Sequence, residues 1–184
     1  VEGVGDRGID FALDVIEHCL ERHPVADHRM RVEHCCYVTP PILERLKRLQ
    51  VVDSSATGFM YDLGDAYRAN RGEAAMRYMW PHRSLIDAGV PAPGHSDAMV
   101  CDPNPFVALW SMVNRKYDSG GDLDLAEAVS PSEALLAYTR LGAYSGRVTV
   151  AGQTYDVTPD RWRGAGERSW GIRPVGEREA PGIA

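Results

Sequence analysis

The sequence MRVEHCCYVTPPILERLKRLQVVDSSA, residues 30–56, is the most informative about the fold. Residues 30–36 predict one strand, and residues 51–56, which are short and begin with two β-branched valines, predict another. Between them the proline pair at 40–41 predicts the start of a helix, since proline is favoured in a first turn. The apolar residues of this helix recur at helical spacing: Ile42, Leu43, Leu46 and Leu49. A strand, a helix and a strand in this order indicate parallel pairing through a crossover helix.

The same alternation extends on both sides of this unit. Residues 1–4 predict the end of a strand, and Asp6 is predicted to cap a helix that ends at Pro24. The apolar residues of this helix recur at helical spacing: Ile9, Leu13, Ile16 and Leu20. Further along, the patterns predict mainly helix over 62–88 with a break at a proline, a short strand over 90–94, and helices over 104–116 and 132–144. These elements indicate an α/β fold, either an open doubly wound sheet or part of a (β/α)8 barrel.

The character of the sequence changes after Gly146. Residues 147–184 show no helical period, and residues 148–157 predict a hairpin centred on Gly152. This segment has 6 Arg against 5 acidic residues, whereas residues 1–146 have 14 basic against 21 acidic residues. We therefore predict a domain over residues 1–146 and a β-rich extension of unknown role over residues 147–184.

Composition limits the functions that the chain can have. With 44% hydrophobic and 25% charged residues, the 184-residue chain can bury a core and is not disordered. The net charge of −6 disfavours nucleic acid as a partner, because like charges repel the phosphate backbone. No apolar run is long enough to span a membrane, and the 4 cysteines form no CxxC pair. We expect buried reduced thiols and a cytoplasmic protein.

The glycine motif GVGDRG, residues 3–8, matches the dinucleotide fingerprint G-x-G-x-x-G at a strand-to-helix turn. Glu33, near the end of the next strand, could then bind the ribose. However, Asp6 places a carboxylate where a pyrophosphate requires bare amides and a positive helix end. An oxidoreductase domain is therefore one alternative, and a glycine turn that only packs a helix on a strand is the other.

His34 and Asp97 are the candidate functional residues of the predicted sheet. His34 lies near the end of the second strand, and Asp97 follows the strand over 90–94, so both are expected at the carboxyl edge of a parallel sheet. An imidazole and a carboxylate there could hold a divalent metal that acidifies water while the carboxylate accepts the proton. A hydrogen-bonded structural histidine is the alternative. His95 is close enough to Asp97 to take part, and the sequence leaves its side-chain direction open.

Four separated motifs carry a resemblance to a known family. In chain order they are GVGDRGIDFALDVIE, HRMRVEHCCYV, SLIDAGVPAPGHSDAMVCDPNPF and SPSEALLAYTRLGAYSG. Their order and spacing resemble the second half of the metal-dependent amidohydrolases of the amidohydrolase family 3 type, which cleave amide or related C–N bonds with water on a (β/α)8 barrel. The resemblance covers residues 1–146. It implies an α/β fold consisting of the C-terminal half of a (β/α)8 (TIM) barrel, here followed by a short β-rich C-terminal extension.

The resemblance also implies roles for individual residues. His34 matches the metal-ligand histidine of barrel strand six, and Asp97 matches the strand-eight aspartate that binds metal and accepts the proton. Glu2 stands where the family has its strand-five histidine ligand, in the motif HAxGD. A glutamate binds metals through oxygen, so this difference bears on metal identity. The family's strand-one and strand-four ligands would lie before Val1.

We therefore expect a fragment of a metal-dependent hydrolase that acts on non-peptide C–N bonds of a small-molecule amide substrate and needs a divalent metal, zinc being the first choice. A fragment with half of the ligand set is expected to have little activity alone. Its open strand edges predict a homo-oligomer or pairing with the missing barrel half. Besides the oxidoreductase, a non-catalytic binding or assembly module is the remaining alternative.

Overall fold

A computed structural model describes residues 1–139 and the backbone of two later strands. The chain divides into two compact units, Val1–Arg140 and Leu141–Ala184. The strands are β1 (Glu2–Gly3), β2 (Arg31–His34), β3 (Val52–Ser55), β4 (Gly146–Val150) and β5 (Gln153–Val157). The α-helices are α1 (Asp6–Arg22), α2 (Pro40–Leu49), α3 (Gly58–Asp62), α4 (Gly64–Arg71), α5 (His82–Ala88), α6 (Pro105–Asn114) and α7 (Pro131–Thr139). Two 3₁₀ helices cover Glu73–Tyr78 and Leu125–Glu127.

The first unit is built on a parallel sheet in the order β1-β2-β3. Gly3 of β1 is in register with His34 of β2, and His34 with Ser55 of β3. Residues 90–94 lie beside β3, where the amides of Asp53 and Ser55 donate to the carbonyls of Pro91 and Pro93 over 3.0 and 2.9 Å. The predicted strand here is reduced to a single bridge, because the two prolines have no amide to donate. The α/β class with parallel strands is confirmed.

One hydrophobic cluster, the helix–sheet core, lies between the sheet and the helices that follow its strands. Its buried members are Ile9, Ala12, Leu13, Ile16, Val32, Cys35, Val38, Ile42, Leu46, Leu49, Val51, Leu85 and Val90. Ile9, Leu13 and Ile16 of α1 and Ile42, Leu46 and Leu49 of α2 are among them, while Leu20 and Leu43 pack against the cluster and are partly buried. The βα organisation of residues 1–56 therefore follows the prediction. The N-cap of α1 is Gly5, however, and the predicted cap Asp6 lies inside the first turn and pairs with Arg71.

Tight packing explains the glycine that ends β1. A Cβ on Gly3 would lie 2.8 Å from Val32 Cγ1 and 2.9 Å from Ile9 Cα, closer than carbon atoms can approach. Only a residue without a side chain therefore allows α1 to rest directly on the first two strands. Packing thus accounts for the first glycine of the motif GVGDRG. Glu33, the candidate ribose ligand, is paired with Arg31.

A second cluster, the loop-rich core, lies under the segments that follow β3. It buries Cys36, Ala56, Phe59, Met60, Met76, Met79, Trp80, Cys101, Met112, Tyr117, Leu123, Val129 and Ala134. The region predicted to be mainly helical, residues 62–88, contains α4, the 3₁₀ helix over Glu73–Tyr78 and α5, with interruptions at Gly72 and, as predicted, around Pro81. These short pieces connect through irregular backbone, whose polar groups require partners other than a helix ladder.

Other local predictions can also be compared with the described residues. Helix α7 begins with a capping box, in which the Glu133 amide donates to Ser130 Oγ over 3.3 Å and the Ser130 amide donates to the Glu133 carboxylate over 2.8 Å. The rest of the helix predicted to residue 144 lies outside the described residues. The hairpin prediction is met by antiparallel β4 and β5, while the remainder of the extension is not described.

All four cysteines are free thiols, but Cys19 is exposed rather than buried as expected. No described helix combines the length and apolar character needed to cross a membrane.

Candidate functional site

The candidate site lies at the carboxyl edge of the parallel sheet, where β2 ends at His34. The backbone of His34 and Cys35 is left-handed, with φ of 76° and 41°. Both neighbours of β2 hold this turn, because the Cys35 amide donates to the Gly3 carbonyl over 3.0 Å and the Ala56 amide donates to the His34 carbonyl over 3.0 Å. Left-handed backbone is costly for residues with a side chain, so the fixed position of His34 depends on these strands.

The His34 imidazole is held between a hydrophobic wall and the first strand. Its ring stacks on Phe59 with centroids 5.8 Å apart, and the residue is only 9% exposed. Its Nε2 lies 3.9 Å from Oε1 of Glu2, whose side chain is 84% exposed. Its Nδ1 is buried and has no hydrogen-bond partner among the described residues. Two of the three predicted metal ligands, His34 and Glu2, are therefore neighbours.

His95 is a second imidazole at this edge. Its ring centroid lies 5.5 Å from that of His34, with the planes inclined by 54°. Its Nε2 is 3.0 Å from the Ser54 carbonyl oxygen, and its backbone amide donates to the Ser55 carbonyl over 3.0 Å. Burial lowers the pKa of His95, and nearby His34 lowers it further, so the neutral ring is favoured. The signal in the sequence was the position of this residue two places before Asp97.

Asp97 follows the segment that pairs with the end of β3. Its backbone is left-handed, with φ of 51°, and its carbonyl accepts from the Val100 amide over 2.7 Å in a tight turn. Asp97 is partly exposed, and its negative charge opposes the lowering of the His95 pKa by burial. Met99, on the outside of the same turn, is 98% exposed. The structure thus places Asp97 after the carboxyl end of its segment, as His34 is at the end of β2.

The fit of this edge to a divalent ion is partial. Two ligands about 2.1 Å from one ion lie roughly 3.4 Å apart in tetrahedral geometry, so the 3.9 Å between His34 Nε2 and Glu2 Oε1 needs only a small movement of the exposed Glu2. Among the described residues, no three His, Cys, Asp or Glu side chains are already arranged to hold a metal. This edge therefore offers donors for an ion without forming a complete shell.

The amidohydrolase family matches residues 1–153, and a family of unknown function matches residues 134–184. The chain belongs to the amidohydrolase family. It is 31% identical over 154 residues to the N-substituted formamide deformylase of Arthrobacter pascens. The aligned region covers 83% of this chain and 28% of that protein. It is 27% identical over 143 residues to the protein LONG AFTER FAR-RED 3 of Arabidopsis thaliana, covering 76% of this chain and 24% of that protein.

Two solved structures are also similar. They are uncharacterized metal-dependent hydrolases from Pyrococcus furiosus and Pyrococcus horikoshii OT3, and each has a TM-score of 0.61 with coverage of 76% of this chain and 27% of that chain. The sequence identities are 29% and 26%, respectively. The chain thus spans about a quarter of the length of the relatives it matches.

Proposed function

We propose that this chain is the C-terminal half of a (β/α)8 barrel of a metal-dependent hydrolase that cleaves non-peptide C–N bonds in small amides. The observation that carries the proposal is the meeting of His34 with Glu2 at the carboxyl edge of the sheet, the edge at which such barrels carry their chemistry. Membership of the amidohydrolase family and the parallel order of three strands support it.

In this proposal the chain supplies part of the binding and proton-transfer machinery. His34, Glu2 and Asp97 would hold a divalent ion, with zinc preferred because imidazole is a good ligand for it. When bound, such an ion acidifies water and polarises a carbonyl. Asp97, at the exposed end of its segment, would accept the proton of the attacking water and pass it to the leaving nitrogen.

Activity of the isolated chain is expected to be low. An incomplete shell binds a metal weakly, and half a barrel leaves a substrate open to water on one side. We therefore expect the complete activity to need the residues that form the other half of the barrel in the family. A small zinc-dependent rate is the most that residues 1–146 should provide.

Zinc binding and amide cleavage test the proposal together. Chelator competition with the 184-residue chain should show one zinc site that His34→Gln and Asp97→Asn each weaken about tenfold or more. His23→Gln and Asp102→Asn serve as matched controls, because His23 lies at the distant end of α1 and Asp102 caps a turn outside the histidine edge. Slow release of amine from N-formyl and N-acyl amines should disappear in Asp97→Asn and persist in Asp102→Asn.

Each outcome of this experiment has a definite meaning. No zinc binding at millimolar concentration would contradict the hydrolase proposal and favour a non-catalytic module. Rapid turnover by the chain alone would agree with the proposed hydrolysis but contradict the expectation that activity needs the other half of the barrel. Tight NAD binding, followed by tryptophan fluorescence, would instead support the oxidoreductase alternative, which Asp6 and Glu33 disfavour because both are already paired with arginines.

We also propose that the open sheet pairs with another chain, either a second copy or a separate barrel half. Apolar residues near β1 are exposed, including Val1, Val4 and Phe11. An exposed strand edge with apolar neighbours favours association. Sedimentation velocity should show a concentration-dependent rise in mass. A single monomeric boundary over a hundredfold concentration range, with a cooperative thermal transition, would contradict this proposal.

A further inference from the structure

The pairing of His95 with His34 goes beyond the ligand set already discussed. His95 has two ring nitrogens, and the structure gives a partner to one of them, since Nε2 lies 3.0 Å from the Ser54 carbonyl oxygen. A carbonyl oxygen can only accept a hydrogen bond, so the Nε2 of His95 carries the proton and donates it. In the neutral ring Nδ1 then has a free lone pair. A hydrogen bond from one imidazole nitrogen to a backbone carbonyl is the usual support of a histidine whose other nitrogen binds a metal.

The spacing of the two rings agrees with this role. Two imidazoles bound to one zinc ion at about 2.1 Å have ring centroids roughly 5 Å apart when the angle at the metal is tetrahedral. The centroids of His34 and His95 are 5.5 Å apart, and their planes are tilted by 54°, so the rings do not stack face to face. The separation of the two rings is therefore close to the separation that two imidazoles bound to one ion would have.

We propose that His95 Nδ1 is a ligand of the divalent ion at this edge, together with His34. The inference rests on the proposed function and deepens it. Glu2 occupies the position at which the family resemblance implies a histidine, so this chain lacks a nitrogen donor there. His95 supplies a nitrogen donor in its place. Glu2 and Asp97 then complete the shell with oxygen, and Glu2 is exposed enough to turn inward. Two nitrogen donors favour zinc over magnesium or calcium, which prefer oxygen.

His95→Gln is the variant that separates a ligand from a structural residue. The glutamine amide nitrogen can still donate to the Ser54 carbonyl, so the fold and its melting temperature should be preserved, while the Nδ1 lone pair is removed. Zinc binding to the 184-residue chain should weaken about tenfold or more by chelator competition. Cobalt should give a visible absorption band in the wild type whose intensity falls in His95→Gln. His23→Gln, at the exposed end of α1, should change neither measurement.

Nuclear magnetic resonance of the imidazole nitrogens provides a second readout. In the ¹⁵N-labelled chain without metal, His95 should show a protonated Nε2 and a bare Nδ1, and addition of zinc should shift Nδ1 alone. If His34→Gln weakens zinc binding but His95→Gln does not, the role of His95 is refuted and the hydrolase proposal stands. If the wild type binds no zinc, both fail. A protonated Nδ1 on His95 without metal would also overturn the inference.

Discussion

The helix–sheet core and the loop-rich core bury similar kinds of side chain but are held together differently. In the helix–sheet core, backbone polar groups are paired within strands and long helices, and apolar packing is continuous. In the loop-rich core, a charged side chain provides some of the hydrogen bonds to backbone carbonyls. The Arg115 guanidinium is fully buried and donates to the carbonyls of Met79, Trp80 and Asp124 over 2.9, 3.0 and 3.0 Å. Irregular backbone thus needs specific side-chain donors where regular elements do not.

The largest expected effect is the loss of this arginine. Arg115→Met removes three hydrogen bonds from a charged donor. The Met79 carbonyl loses its donor, whereas the carbonyls of Trp80 and Asp124 still accept from the amides of His82 and Glu127. The free energy of unfolding should therefore fall by about 3 kcal/mol. Arg45→Met is the matched control beside the helix–sheet core. Arg45 of α2 pairs with Asp14 and Glu17 of α1 at the surface. Its replacement should lower the free energy of unfolding by about 1 kcal/mol or less. Urea denaturation measures both. Equal losses would remove the distinction between the two cores.

The next effect tests how closely the helix–sheet core is packed. Gly3→Ala should destabilise the protein by about 2 kcal/mol, because the new methyl group meets Val32 and the backbone of Ile9. Gly8→Ala should be neutral or stabilising by up to about 1 kcal/mol, since its Cβ would meet Gly3 Cα at an ordinary 3.6 Å within a helix. If Gly8→Ala were the more harmful change, close packing at Gly3 would not explain the glycine motif.

A smaller effect concerns Asp53, an acid within the sheet layer. Asp53 is fully buried, and burial raises its pKa well above the usual value, although the neighbouring Ser55 and Cys35 side chains lower it in part. The folded protein therefore keeps a proton that the unfolded chain releases above about pH 4, and stability falls as pH rises. Asp53→Asn, which cannot ionise, should stabilise the protein by about 1–2 kcal/mol at pH 8 and less at pH 5. A gain that is equal at both pH values would contradict this account.

The smallest effect is at the start of α7, which packs into the loop-rich core through Ala134. Ser130→Ala removes the hydroxyl that accepts from the Glu133 amide and should lower stability by about 1 kcal/mol. Ser130→Thr keeps a hydroxyl that accepts from the Glu133 amide and donates to the Glu133 carboxylate, so it should retain most of the stability. Thermal melts of the two variants provide the comparison, and equal loss in both would mean that the cap is not what the serine contributes.

The agreement between sequence and structure is best where local patterns decide conformation. The spacing of Ile9, Leu13 and Ile16 defined the buried face of α1, and the proline pair defined the start of α2. Over residues 62–88 the predicted break at Pro81 is observed, but a second interruption at Gly72 was not predicted from the local pattern. In the segment beside β3, the carbonyls of Pro91 and Pro93 accept hydrogen bonds from β3 amides. The two prolines have no amide to donate, so a complete ladder of hydrogen bonds does not form.

The order of strands and helices, the family resemblance, and the positions of His34 and Asp97 at the ends of sheet segments could all be predicted from the sequence. Those features depend on periodicity and order, which are properties of neighbouring residues. The contact between His34 and His95 and the three hydrogen bonds from Arg115 to backbone carbonyls are seen only in the folded structure. Such meetings depend on left-handed turns and on contacts between residues far apart in the chain, and a local pattern does not carry that information.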